Sequence, residues 1–205
     1  MKKGCIIGGG IFLVLAVIGI ALVGYWISMS NRIVELDNDS KQKWGSVESA
    51  YQRRADLIPS LVATVNKATN YERETLTSVV EARAKATSVQ IDPSNLTPEK
   101  LAEFQQAQAG VGSALSRLLV SIERYPDLKA NQSILSFQNQ LEGTENRIKI
   151  ERDNYNATVT TYNNYIQKFP GSIIAGMKGL KEKGMFKADA GAEKAPNVNE
   201  LLNGK

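Results

Sequence analysis

The 205-residue chain contains no histidine and a single cysteine, Cys5. Without histidine there is no Ser-His-Asp or Cys-His arrangement, and the commonest general base and metal ligand are missing. One cysteine forms no intrachain disulfide and no thiolate zinc site. A phosphate-binding glycine loop, a dinucleotide fingerprint and EF-hand spacing are absent too. Paired carboxylates are the one hydrolytic route left, and no spacing favours it. The expectation is a non-enzymatic protein with no catalytic residue, cofactor or metal.

Charge of one sign is scarce where it would matter. The formal net charge of +4 resides at the ends. Lys2 and Lys3 supply +2, and residues 168–187 hold five lysines against Glu182. Residues 4–167 carry 16 basic and 17 acidic side chains. Such a mixed, near-neutral composition describes a solvated helical surface and gives no nucleic-acid footprint.

What the sequence does have is one long apolar run. No charged residue lies between Gly4 and Asn31, and Cys5 to Ile27 is almost entirely apolar. As a helix, that stretch reaches ~34 Å, enough for a ~30 Å hydrocarbon core. Tyr25 and Trp26 close it as interfacial aromatics. A cleaved secretory signal is the alternative. Gly19-Ile20-Ala21 is a poor cleavage site and the run is longer than a signal's apolar region, so an uncleaved anchor is expected. Cys5 is no lipoprotein acceptor, because no apolar stretch precedes it. The organisation read from the chain is a short basic start at 1–4, a membrane helix at 5–28, a helical bundle at 29–170 and a tail at 171–205.

Three stripes at alternating steps of three and four residues build the bundle. The first runs from Ile33 through Trp44, Val47, Tyr51, Arg54, Ile58, Leu61 and Val65 to Val79, Arg83 and Ala86. Pro59 lies inside it and is expected to bend the helix without breaking it. Asn66 to Glu74 is its least apolar part, and a turn there is the alternative to one continuous helix. Asp92-Pro93 and Ser94-Asn95 mark a loop, after which Thr97, Pro98 and Glu99 open a second helix. Its stripe is Leu101, Phe104, Gln108, Val111, Leu115, Leu118, Ile122 and Tyr125, stopped by Pro126. The third runs from Ile134 through Leu141, Glu145, Ile148, Arg152, Tyr155, Val159, Tyr162 and Ile166 to Phe169, ended by Pro170. The expected fold is all-α: an amino-terminal transmembrane helix, then an elongated antiparallel bundle of three long helices, or four if the first breaks near 59–70.

Polar residues on the seams are the exceptions to explain. Arg54, Glu72, Gln108, Glu145 and Arg152 occupy positions that periodicity turns inward, where an unpaired charge costs several kcal/mol. A polar layer joining Arg54 and Asp56 to Glu145, Asn146 and Arg147 is expected. Register specification is its first reading and ligand binding its second. The pairs Tyr155-Asn156 and Tyr162-Asn163 repeat at seven residues and are read as core.

At these residues the chain resembles a family. Arg53-Arg54-Ala55-Asp56-Leu57-Ile58-Pro59-Ser60-Leu61-Val62 is similar to the RRxDLIPNLV signature of LemA family proteins. So are Tyr125-Pro126-Asp127-Leu128-Lys129-Ala130-Asn131 and Leu141-Glu142-Gly143-Thr144-Glu145-Asn146-Arg147-Ile148, with Tyr155-Asn156, Tyr162-Asn163 and Phe169-Pro170 in the same order. The resemblance covers about residues 25–187. Ser60 replaces the usual Asn, and Asn66 to Asn70 replaces a Lys-Gly-Tyr-like stretch, where the alternative turn falls. The resemblance implies a bacterial membrane protein with one span and a helical bundle. It brings no catalytic or binding residues. It suggests membrane metalloproteases as a partner class.

The tail Gly171–Lys187 mixes Ile173, Ile174, Met177 and Phe186 with lysines and suits anionic headgroups. Partial packing on the bundle, with the rest mobile, is the favoured alternative, and residues 188–205 read as disordered. The functional expectation is a scaffold or interaction protein of the bacterial cell envelope, held in the cytoplasmic membrane and contacting the lipid bilayer and membrane or envelope proteins. A ligand-sensing layer at Arg54 and Glu145 is the alternative, and self-association is left open. Lys2 and Lys3 favour an extracytoplasmic bundle, whereas Arg32, Lys41, Lys43, Arg53 and Arg54 oppose that orientation.

Overall fold

The computed structural model describes residues 2–67 and 73–187, with side chains from residue 10 onward. Among them there is no strand. Helix α1 spans Lys2–Val65, α2 Arg73–Ser88, α3 Pro98–Ile122, α4 Pro126–Lys129, α5 Gln132–Gln167 and α6 Gly171–Met177. Cys5 lies in α1, with its side chain outside the described part, and the readings of Glu72 and of 188–205 fall outside the described residues.

The first stripe is divided between two helices, so among the described residues the bundle takes the four-helix alternative, with the first helix ending inside the 59–70 stretch. Helix α1 stops at Val65, whereas Pro59 sits inside it without ending it. The phase survives the break for a physical reason. A 3.5-residue lattice is unchanged when the chain reverses, so Leu76, Val79 and Ala86 of α2 face the same core as Ile58, Leu61 and Val65 of α1. Chain direction alternates through α1, α2, α3 and α5. Thr97 caps α3 by accepting from Lys100 N–H, and Asn131 caps α5 by accepting from Ser133 N–H. The corner after α3 is taken by the single turn α4.

Helices α1 and α5 form the longest pairing, in a fixed register. Trp44 meets Tyr155 and Arg54 meets Glu145, so ten steps along α1 match ten back along α5. The core is three apolar clusters stacked along this pair. The distal one holds Ile58, Leu61, Val65, Leu115, Leu118 and Phe137. The middle one gathers Trp44, Tyr51, Phe104, Tyr155 and Phe186 in edge-to-face and stacked contacts. The proximal one joins Ile33, Leu36, Tyr162 and Ile166 to Ile174 and Ala175 of α6. Below it, residues 10–28 of α1 are exposed along their whole length, and Phe12, Ile20 and Leu22 are among the most exposed apolar side chains. That stretch is long and apolar enough to cross a membrane.

Candidate functional site

Arg54 is 4% exposed and lies between the distal and middle clusters. Its Nη1 donates to Glu145 Oε1 at 2.9 Å. Its Nη2 donates to the main-chain oxygen of Gln108 at 2.9 Å and to Gln108 Oε1 at 2.8 Å. The guanidinium also lies 5.0 Å from the Tyr51 ring centre, within cation–π range. Nε has no hydrogen-bond partner among the described residues. Three helices thus converge on one buried cation, and the half-exposed Glu145 carries its counter-charge to the rim.

The layer differs in membership from the expected one. Asp56 sits on the exposed side of α1 and accepts from Gln52 Nε2 at 2.7 Å. Asn146 is exposed, and Arg147 pairs with the buried Glu151 at 2.7 Å. The reason is angular: residues one or two positions from an inward one point well away from it on a helix. Gln108, seen on its stripe but not joined to the others, is the third member. Clefts of about 820 and 780 Å³ flank the layer, one bordered by Arg54, Arg83 and Gln140, the other by Arg54, Gly112, Glu145 and Lys187.

Pro59 explains a second polar contact. Having no N–H, it leaves the carbonyl of Ala55 without its helical donor. Arg83 of α2 supplies one, its Nε donating to that oxygen at 2.8 Å. The proline therefore creates the acceptor that ties α2 to α1.

The largest feature hidden from periodicity is a strap. Beyond α6, residues 178–187 run irregularly back along α5, so Gly171–Lys187 belongs to the bundle. The Tyr-Asn repeat holds it. Tyr162 Oη donates to Lys181 O, and Asn163 pairs with both N–H and O of Lys183 at 2.9 Å. Seven residues earlier on α5, Tyr155 Oη donates to Gly184 O, and Asn156 pairs with both N–H and O of Phe186 at 2.9 Å. Each dipeptide makes the same grip, three strap residues apart. The lengths agree, since seven helical residues rise ~10.5 Å and three extended residues ~10 Å. Gln105 of α3 grips Lys187 likewise. Gly184 allows this passage, because a Cβ there would stand 2.8 Å from Pro98 Cα.

The strap also builds a second buried ion layer. Lys183, 6% exposed, donates to Asp37 Oδ1 at 2.8 Å and lies 5.2 Å from the Tyr162 ring centre. Lys41 pairs with Asp37 Oδ2 at 2.7 Å. Burial pushes the Asp37 carboxyl up, but the two lysines together hold it below its ordinary value. Burial, with Asp37 adding to it, raises Tyr162 to about 12, and burial raises Tyr155 further. Both hydroxyls therefore stay protonated donors at neutral pH. Of the anchor residues, Tyr25, Trp26 and Ile27 are exposed on α1.

Comparison with known proteins bears on this arrangement as a whole. A sequence model described as the LemA family matches residues 43–199, more than three quarters of the chain. The chain belongs to the LemA family. Arg54, Pro59, Arg83, Gln108, Glu145 and the strap all fall inside the matched stretch, whereas Asp37 precedes it. The LemA-type chain is similar to Protein LemA of Metamycoplasma hominis, 24% identical over 178 residues, covering 87% of this chain and 78% of the relative. It is also similar to Magnetosome protein MamQ of Magnetospirillum gryphiswaldense, 25% identical over 198 residues, covering 87% and 73%. Magnetosome protein MamQ 1 of Paramagnetospirillum magneticum is 24% identical over 184 residues, covering 82% and 68%.

Proposed function

We propose that this LemA-family protein is a non-enzymatic scaffold of the bacterial cell envelope, anchored in the cytoplasmic membrane by residues 5–28 and presenting its bundle outside the cytoplasm. The observation that supports this most is the continuity of α1, one helix from Lys2 to Val65. Span and bundle share a single rod, so the bundle cannot swing freely, and its distal end stands roughly 55 Å beyond residue 28. A fixed standoff suits repeated meetings with other envelope proteins at one distance from the membrane. The distal end also exposes Val120 and Leu135, apolar side chains available to a protein neighbour. Membrane metalloproteases are the partner class that family resemblance suggests.

Photo-crosslinking in intact cells tests the proposal. A photoreactive residue at position 120 or 135 should give discrete protein adducts that vanish when residues 5–28 are deleted. No adduct at either position, or the same adducts without the span, contradicts it. Protease accessibility in spheroplasts decides the orientation: digestion of the bundle supports an extracytoplasmic location, and protection refutes it.

A second reading has a specific observation in its favour: the buried Nε of Arg54, without a hydrogen-bond partner among the described residues, beside a cleft of about 820 Å³. That donor suits a small acceptor-bearing ligand. If Arg54→Gln and Glu145→Gln lower only thermal stability and leave adducts unchanged, the layer is structural. If they abolish binding of a metabolite without moving the melt, the ligand reading holds.

A further inference from the structure

The proximal end of the bundle carries an apolar face that the rest of the molecule does not cover. Helix α6 buries Gly171, Ile174 and Ala175 against the cluster of Ile33 and Met29. Its opposite side leaves Ile173 at 46% and Met177 at 75% exposed, and Phe169, just before it, is 80% exposed. The sequence from Lys168 to Lys181 has three lysines and no acid, and Lys168, Lys178 and Lys181 are all exposed. An apolar face flanked by Lys168, Lys178 and Lys181, with the exposed Glu182 next along the chain, carries a net positive charge and is the pattern of an interfacial membrane contact.

Position identifies the occupant. Extending the α1–α5 register places Phe169 opposite Ser30, three residues past Ile27 and so ~4.5 Å above the end of the apolar span. That is headgroup depth, ~6–7.5 Å above the level of Trp26 and Tyr25. By that register the face lies just above the part of α1 that enters lipid, on the cluster that reaches down to Met29, and its lysines complement anionic headgroups.

We propose that Phe169 and α6 lie in the headgroup–acyl boundary of the leaflet from which α1 emerges, with Lys168, Lys178 and Lys181 on anionic headgroups. The bundle then rests on the bilayer at two places, the span and this foot. The contact fixes its tilt and rotation about α1. This rests on the anchoring reading above, and its test separates the two. The full-length chain, with Cys5→Ser and a single cysteine at Leu15, Phe169, Met177 or Val120, is labelled with an environment-sensitive dye. It is reconstituted in phosphatidylcholine vesicles with or without phosphatidylglycerol, at high dilution so that lipid is the only neighbour. Spin-labelled lipids act as quenchers. Shallow quenchers should reduce emission at positions 169 and 177 at least about twofold more than at 120, and more strongly with phosphatidylglycerol. Replacing the three lysines with glutamine should remove the phosphatidylglycerol increment. Quenching at 169 and 177 no greater than at 120, with position 15 quenched by deep labels, overturns the foot and leaves the anchor intact. An unquenched position 15 overturns both.

Discussion

The hydrogen bond from Arg83 to Ala55 makes a prediction that ordinary helix propensity does not. Proline in a helix interior costs about 3 kcal/mol relative to alanine, partly through the lost donor. Here the orphaned carbonyl of Ala55 is served by Arg83 Nε at 2.8 Å, in a half-buried position. A hydrogen bond to a charged donor contributes about 1.5–3 kcal/mol, and partial exposure puts this one at the lower end. Arg83→Met should therefore destabilise the protein by about 1.5 kcal/mol, lowering Tm by roughly 3–6 °C for a chain of this size. In a Pro59→Ala background the carbonyl regains its own helical donor, and the same substitution should cost only about 0.5 kcal/mol. The coupling of about 1 kcal/mol is read from a double-mutant cycle on the full-length protein in detergent micelles, by urea unfolding followed by circular dichroism. Equal costs of Arg83→Met in both backgrounds would refute the reasoning, because Arg83 would then stabilise the bundle by something other than that carbonyl.

Other consequences are as direct. Phe186→Ala should cost about 3 kcal/mol and release the strap, so trypsin cuts after the otherwise buried Lys183; unchanged resistance there means the strap does not depend on its aromatic anchor. Gly184→Ala should destabilise by about 1–3 kcal/mol through the close approach of Pro98, whereas Gly143→Ala, in open space on α5, should stabilise by up to about 1 kcal/mol; the same sign for both contradicts the close-approach argument. Asp37 titrates below its ordinary value when folded, so its contribution is present above the unfolded carboxylate pKa and is lost as pH falls through the folded one. Urea midpoints from pH 7 to 3 should fall less steeply in Asp37→Asn than in the parent. Tyr162, raised to about 12, works in the opposite sense: stability holds below about pH 10 and declines as pH rises toward 12, and Tyr162→Phe should flatten that decline.

Much of the fold is legible because burial follows periodicity. Ile33, Trp44, Val47, Ile58, Leu61, Leu101, Leu118, Ile134, Tyr155 and Tyr162 all lie on the expected seams and are all buried. The break after Val65 is less legible, since a seam lattice is blind to chain reversal and the segment from Asn66 lacks glycine and proline. The polar layer was half legible: Arg54 and Glu145 announce themselves as charges on a seam, whereas Asp56, Asn146 and Arg147 drew attention by sequence neighbourhood and point elsewhere. The strap is invisible to any search for helical faces, because tyrosine and amide side chains hold its main chain and its two deep anchors, Lys183 and Phe186, follow no helical spacing. Its signal was the Tyr-Asn repeat, readable as two identical grips only once an extended segment is considered as their partner. Pro59 announced a free carbonyl at Ala55, but nothing in a single sequence names Arg83 as its donor.

Hydrogen–deuterium exchange of the full-length protein in nanodiscs, read across residues 24–40, tests most directly whether span and bundle are one rod. Continuous slow exchange from Gly24 through Ser40 is the predicted result. A fast-exchanging joint between Ile27 and Ile33 would mean that the bundle hangs from a hinge, and the fixed standoff would be lost.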